Sequence, residues 1–211
     1  MKYVVCFFIS CLSFIGFGQS YPGDYKISAK FMNDSLIHKN AFGAEVEASY
    51  YLDDYLFIGI SGSYSGVELK RNFGFETDRT LIRFFTIEVP VGYELVNKKR
   101  FEVSVANQLG IAFSTLRDKN SKDVKEYWDR EVGMTYTYAV ARKLDHDLFF
   151  VMTPTATASY RLMDVGIKSK RNLYVTGTLG YRIAFGKGSF STGSDYTNFC
   201  FMVGLCLKSV K

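Results

Sequence analysis

Side chains able to carry chemistry are few in this 211-residue sequence, and their spacing limits what they can do. It holds only two histidines, His38 and His146. A lipid-cleaving barrel enzyme needs a histidine beside a serine on a lipid-facing strand near the outer rim. His38 has Ser35 nearby in sequence but no carboxylate at an orienting spacing, and His146 lies between Asp145 and Asp147 in what reads as a short turn. One histidine and two adjacent carboxylates cannot all point at one ion, so a solvated turn is the better reading of that run than a metal site. No catalytic residue, metal or cofactor is assigned. The more informative charges are Glu45, Glu47, Glu88, Glu94 and Glu102, with Lys26, Lys30 and Arg182. Each falls on the polar side of an alternating segment. In a narrow interior such charges must be paired or hydrated. They would either gate a channel or only satisfy the interior.

The segments that position them alternate with period two. In Phe101–Phe113, the residues Phe101, Val103, Val105, Leu109, Ile111 and Phe113 share one face, with Asn107 the lone polar member. Glu102, Ser104, Ala106, Gln108, Gly110 and Ala112 share the other. Such alternation is the mark of a strand with two different environments. It recurs at Tyr25–Met32, Phe42–Leu52, Tyr55–Glu68, Leu81–Leu95, Val132–Arg142, Leu148–Tyr160, Leu173–Phe185 and Phe199–Lys208. A further short strand is expected around Ser189–Ser191. Short turns are expected at the inner, periplasmic end at Asp53, Asn97 and Leu144, and longer connections at the outer end at Asn33–Asn40, Lys70–Arg79, Thr115–Arg130 and Met163–Asn172. Pro90 predicts a bulge or bend within its strand.

Residues 1–18 differ from the rest. Lys2 precedes an apolar run from Tyr3 to Phe17, and the small residues Gly16 and Gly18 predict signal-peptidase cleavage between Gly18 and Gln19. Residues 19–211 then form one domain. Cys200 and Cys206 remain after cleavage; six residues apart on one strand, ~20 Å, they are too far apart to bridge and are expected to be free thiols on one face. The formal charge of +5 is mild and its signs are interspersed, which argues against a nucleic-acid partner.

These features predict a closed, antiparallel, up-and-down transmembrane β-barrel of about ten strands, with eight as the alternative. The polar faces are rich in Gly, Ala, Ser and Thr, as a narrow wet lumen requires, and rings of Tyr and Phe near strand ends suit membrane interfaces. The competing readings are a soluble lipocalin-like carrier, whose apolar faces would line its cavity, and a lipid-modifying outer-membrane enzyme.

The block Thr86–Phe113, TIEVPVGYELVNKKRFEVSVANQLGIAF, resembles the PorT-like "porin family" of outer-membrane β-barrels from Bacteroidota. Glu88, Val89, Pro90, Tyr93, Lys98, Lys99 and Gly110 occupy that group's Glu-apolar-Pro segment, Tyr, Lys-rich turn and Gly-containing strand. The leader ending Phe17-Gly18-Gln19 is also similar, whereas the final Leu207-Lys208-Ser209-Val210-Lys211 departs from the group's aromatic ending. The resemblance implies an outer-membrane location and a non-enzymatic structural, binding or accessory role in envelope assembly or secretion. Its implied partners are outer-membrane lipid, the barrel assembly machinery and secretion or envelope proteins.

Overall fold

A computed structural model describes residues 24–53, 55–98, 100–129, 134–165 and 171–209; the leader and its cleavage site at Gly18 and Gln19 lie outside the described residues. Among the described residues eight antiparallel strands close on themselves in chain order. They are β1 (Tyr25–Leu36), β2 (Lys39–Tyr51), β3 (Leu56–Leu69), β4 (Thr80–Lys98), β5 (Phe101–Asp129), β6 (Met134–Val165), β7 (Arg171–Phe185) and β8 (Asn198–Ser209). The ring is completed by β8 on β1, with Lys208 opposite Lys26 and Phe201 opposite Asn33. Closure gives every strand a neighbour on both sides and leaves no open sheet edge, as hydrocarbon surroundings demand, where each unpaired group costs several kcal/mol.

The two faces are inverted relative to a water-soluble barrel. On β5, Phe101, Val105, Leu109, Ile111 and Phe113 are exposed, while Glu102, Ser104, Gln108 and Ser114 are buried. On β4, Phe85, Ile87, Val89, Val91 and Tyr93 are exposed, while Thr86, Glu88 and Glu94 are buried. The apolar faces therefore point outward, and the carrier reading is left without an apolar chamber. At ~3.4 Å per residue and a tilt of ~40°, the belt from Phe101 to Phe113 is roughly 30 Å tall, a hydrocarbon thickness. Aromatics mark both edges: Tyr55 stacks on Tyr93 at 5.6 Å, and Phe150 meets Phe185 at 6.2 Å.

The start of β1, the end of β8 and the strand ends that flank the β2–β3, β4–β5 and β6–β7 connections lie at one end of the barrel, called here the inner end. The β2–β3 turn is held by Asp53, whose carboxylate accepts the amides of Leu56 and Tyr55 at 2.6 and 2.7 Å. Those two bonds hold its carboxyl below the ordinary aspartate value.

Several sequence-based expectations are corrected. No turn occurs at Leu144: β6 runs through it, and the extra residue is absorbed as an irregularity where Leu116 and Arg117 pair with Asp145 and Lys143. The expected loop Thr115–Arg130 continues β5 to Asp129, so two predicted strands fuse into β6. Residues 189–191 form no strand; this connection has an isolated bridge between Lys187 and Thr192 and a short 3-10 helix, Gly193–Tyr196. Ten expected strands thereby become eight. The connection expected over Met163–Asn172 at the outer end is replaced at its described residues by strand ends at the inner end, Met163–Val165 in β6 and Arg171–Asn172 in β7. Asn33–Asn40 shrinks to a turn at Ile37 and His38, whose φ values are 49° and 61°. Pro90 causes no bulge: β3–β4 pairing lapses beside it without changing register, and the β4 irregularity falls between Glu94 and Val96.

Candidate functional site

The lumen is filled by side chains in three storeys. At the inner end, Lys208 Nζ lies 2.7 Å from Glu94 and 3.2 Å from Glu102. Tyr51 donates its hydroxyl to the same Glu94 oxygen at 2.7 Å, and Asn97 donates to the other at 2.8 Å. Lys26 is buried beside them with its ammonium 5.6 Å above the Phe57 ring. Gly92 makes room for that ring, since a Cβ there would lie 2.3 Å from Phe57 Cζ.

In the middle storey Lys30 bridges Glu45 at 2.8 Å and Glu47 at 2.7 Å, and the Ser49 hydroxyl donates to Glu47. Glu88 accepts from Thr153 at 2.7 Å and Thr86 at 3.0 Å, and Ser61 donates to Gln108. Gly110 lets β5 pass this layer closely; a Cβ there would meet the Ile87 carbonyl at 2.0 Å.

Toward the outer end Arg182 pairs with Asp34 at 2.7 Å and lies over the Phe84 ring at 4.9 Å. Above it the lumen turns apolar. Leu36, Ile82, Phe84, Leu116, Phe149 and Val151 close around Tyr196, which the β7–β8 connection inserts into the mouth. Tyr196 stacks on Phe84 at 4.6 Å and meets Phe149 at a tilt, 5.1 Å between ring centres. Its hydroxyl shares a 2.6 Å hydrogen bond with Ser114 and donates to Ser191 at 3.0 Å. Burial pushes the Tyr196 phenol up to about 12, so it stays a neutral stopper. Asp147 anchors the segment by accepting the amides and hydroxyls of both Ser189 and Ser191.

All eight charges singled out in the sequence are buried on the lumen side. The structure brings Lys30 together with Glu45 and Glu47. It pairs Arg182 with Asp34 and not with a glutamate, joins Glu94 and Glu102 through Lys208, and gives Glu88 only hydroxyl donors. Asp34 and Lys208 were missed, although lumen parity identifies both: Asp34 continues Lys26, Ser28 and Lys30 along β1, and Lys208 follows Cys206 on β8. The two thiols, Cys200 and Cys206, are free and buried.

Neither histidine enters the lumen. His146 lies on β6 opposite Thr115, past the outer edge of the belt, and not in an inner turn. His38 is exposed, with Nε2 4.0 Å from Asp195. Among the described residues no three His, Cys, Asp or Glu side chains gather at one point. An open groove of about 700 Å³ dents the lipid-facing wall around Asn107 and Pro154, where β6–β7 pairing lapses between Met152 and Thr155.

No protein-family model and no curated protein matches the sequence. By structure the chain is similar to Neisserial surface protein A, with a TM-score of 0.52 and 10% identity over 89% of this chain and 96% of that one. Weaker likenesses join it to a major outer membrane protein from Thermus thermophilus (TM-score 0.47, 11% identity, 89% and 100% covered) and to the N-terminal β-barrel domain of Pseudomonas aeruginosa OprF (0.46, 11%, 89% and 99%). At such identities the likeness is one of fold: the chain has the architecture of the small eight-stranded outer-membrane β-barrels.

Proposed function

We propose that this chain is an integral outer-membrane protein with a sealed lumen, and that it works as a binding or accessory barrel through its outer surface, without catalysis. The carrying observation is the filled interior: buried charged side chains in three storeys and the Tyr196 stopper occupy the lumen. General porins use sixteen or more strands to enclose water. The surface left to act is the outer end. There β5 and β6 run on together beyond the last β4 pair, Thr80 with Asp118, as a two-stranded ribbon in which residues 122–129 pair with 134–141. It projects by ~27 Å at strand rise. Val124, Trp128, Met134 and Tyr136 are exposed on it. An isolated two-stranded ribbon is marginal in water and gains by resting on a partner.

The finer reading is the PorT-like one, an accessory of secretion or envelope assembly, inserted by the barrel assembly machinery with both termini in the periplasm. It rests on the Thr86–Phe113 resemblance. Fractionation with heat-dependent gel mobility tests the location, and single-channel recording in planar bilayers tests the seal. A silent trace and a heat-modifiable band in the outer-membrane fraction are expected. A steady conductance from the wild-type protein, or a folded soluble form, would refute the reading.

A further inference from the structure

One group of cations faces outward and takes no part in the lumen network. Across β3, β4, β5 and β6 the outer edge of the belt is the row Tyr64, Phe85, Phe113, Leu148. The next outward row is Gly66, Arg83, Thr115, His146, and the one beyond is Glu68, Leu81, Arg117, Lys143. Arg83, Arg117 and Lys143 therefore stand together, with His146 beside them, immediately above the aromatic edge. The carboxylate in these rows, Glu68, is already held by Arg79 and Lys119. Arg117 spends one Nη on the Ala141 carbonyl at 2.9 Å. The Nε atoms of both Arg83 and Arg117 are buried, with no hydrogen-bond partner among the described residues. Burial, then the like charge of Arg83, push the Arg117 guanidinium below its ordinary value, with Tyr64 and Asp123 opposing. Two guanidinium groups held this close call for an anion. Gly66 adds no side chain to this row; a Cβ there would meet the Ile82 carbonyl at 3.4 Å and the Tyr64 hydroxyl at 3.8 Å, so the Tyr64 hydroxyl borders the cluster.

We infer that Arg83, Arg117 and Lys143 bind the phosphate of an outer-leaflet lipid headgroup. Guanidinium forks suit phosphate oxygens, and the lysine adds a point charge. The cluster lies two to five residues along the strands past the hydrocarbon belt, about headgroup depth at ~3.4 Å per residue on tilted strands. It opens sideways over the acyl chains and away from the lumen, which selects a lipid over a soluble anion. The inference rests on the membrane reading above and on the outer end facing outward.

The test is native mass spectrometry of the detergent-solubilised protein, with diphosphoryl lipid A, phosphatidylcholine and inorganic phosphate as probes. Lipid A is expected to remain bound at least tenfold better than phosphatidylcholine. R83Q/R117Q should lose that preference at least tenfold while keeping its heat-modifiable band, R83K/R117K should fall between, and K187Q on the β7–β8 connection should not change it. Equal retention by R83Q/R117Q overturns the site, and displacement of lipid A by millimolar inorganic phosphate overturns its assignment to a lipid. Wild-type protein that fails to float with vesicles overturns the membrane reading as well; protein that floats but shows no lipid preference overturns the headgroup site alone.

Discussion

Asp34 and Arg182 offer the sharpest test of the lumen. Their side chains are 0% and 2% exposed and meet at 2.7 Å. Arg182 has no second ion-pair partner within 4.0 Å among the described residues: its Nε is unpartnered, the Met32 sulfur is 3.9 Å away, the Phe84 ring lies beneath it, and Glu88 acts only from farther off. Asp34→Asn therefore strands a buried cation, which costs about 3–5 kcal/mol. Arg182→Gln is milder, about 3 kcal/mol, because the Asp34 carboxylate keeps the Ser35 amide at 2.8 Å and the Ser65 hydroxyl at 3.1 Å. With both charges removed nothing is stranded, so the double variant should cost ~2–4 kcal/mol less than the sum of the singles. The assay is urea unfolding in lipid vesicles read by heat-dependent gel mobility. Fluorescence is the wrong probe, since the one tryptophan, Trp128, sits on the ribbon outside the barrel. Additivity within ~0.5 kcal/mol would refute the coupled pair, and so would a cost below ~1 kcal/mol for Asp34→Asn.

Lys30→Met should destabilise by about 3–5 kcal/mol in the same assay, because it strands Glu45 and Glu47 together; a neutral result would mean that water replaces the lysine. Tyr196→Ala removes the stopper and should make Cys200 reactive to a membrane-impermeant maleimide, while Cys206, near the inner-end charges, stays protected; equal labelling of both, or of neither, counts against a seal at the outer mouth. The Asp145 carboxyl is held below its ordinary value, first by the Ser189 hydroxyl and then by the His146 amide. A depressed folded value contributes stability above the unfolded value of ~3.9, which is lost as pH falls through the lower folded value. Proteolysis of residues 186–197 should therefore be flat from pH 8 to 5 and rise only at more acid pH. Trp128→Ala should leave urea unfolding within ~0.5 kcal/mol of wild type, as expected away from the packed barrel.

What could be read from the sequence followed the membrane. Period-two alternation arises because one side of a strand meets hydrocarbon and the other meets the lumen. Inside the belt this identified the strands and the side of each charge. Beyond the rim both sides of β5 meet water, the alternation fades along it, and Thr115–Asp129 looks like a charged loop although it is paired throughout most of its length; its partner on β6 keeps the alternation. The polar break at Lys143–Asp147 resembled a turn because an extra residue, Leu144, interrupts the pattern there. The same effect hid Asp34: Asn33–Asn40 is polar because β1 and β2 rise toward the rim, and the strand ends only at Leu36. The Tyr196 stopper left no local signal, since its pocket comes from Phe84, Phe149 and Ser114 on three different strands.

The polar interior also explains how this chain fixes its register. In water an apolar face selects itself by burial, but in a bilayer an apolar side chain gains little by choosing one side of the wall over the other. The polar residues must choose. Slipping a strand by one residue exchanges its faces. On β1 and β2 that would turn Lys26, Lys30, Glu45 and Glu47, all buried in the lumen, toward lipid. A lysine on the lipid face near the midplane costs ~2–4 kcal/mol, with Asp and Glu somewhat less. Four such residues together cost about 10 kcal/mol, comparable with the roughly 5–15 kcal/mol by which domains are ordinarily stable. The lumen charges therefore need not contribute much net stability through their pairing, since buried pairs often roughly break even. Their larger effect is to make every alternative register too costly to populate, and this holds whether or not any one pair is ever measured to be favourable.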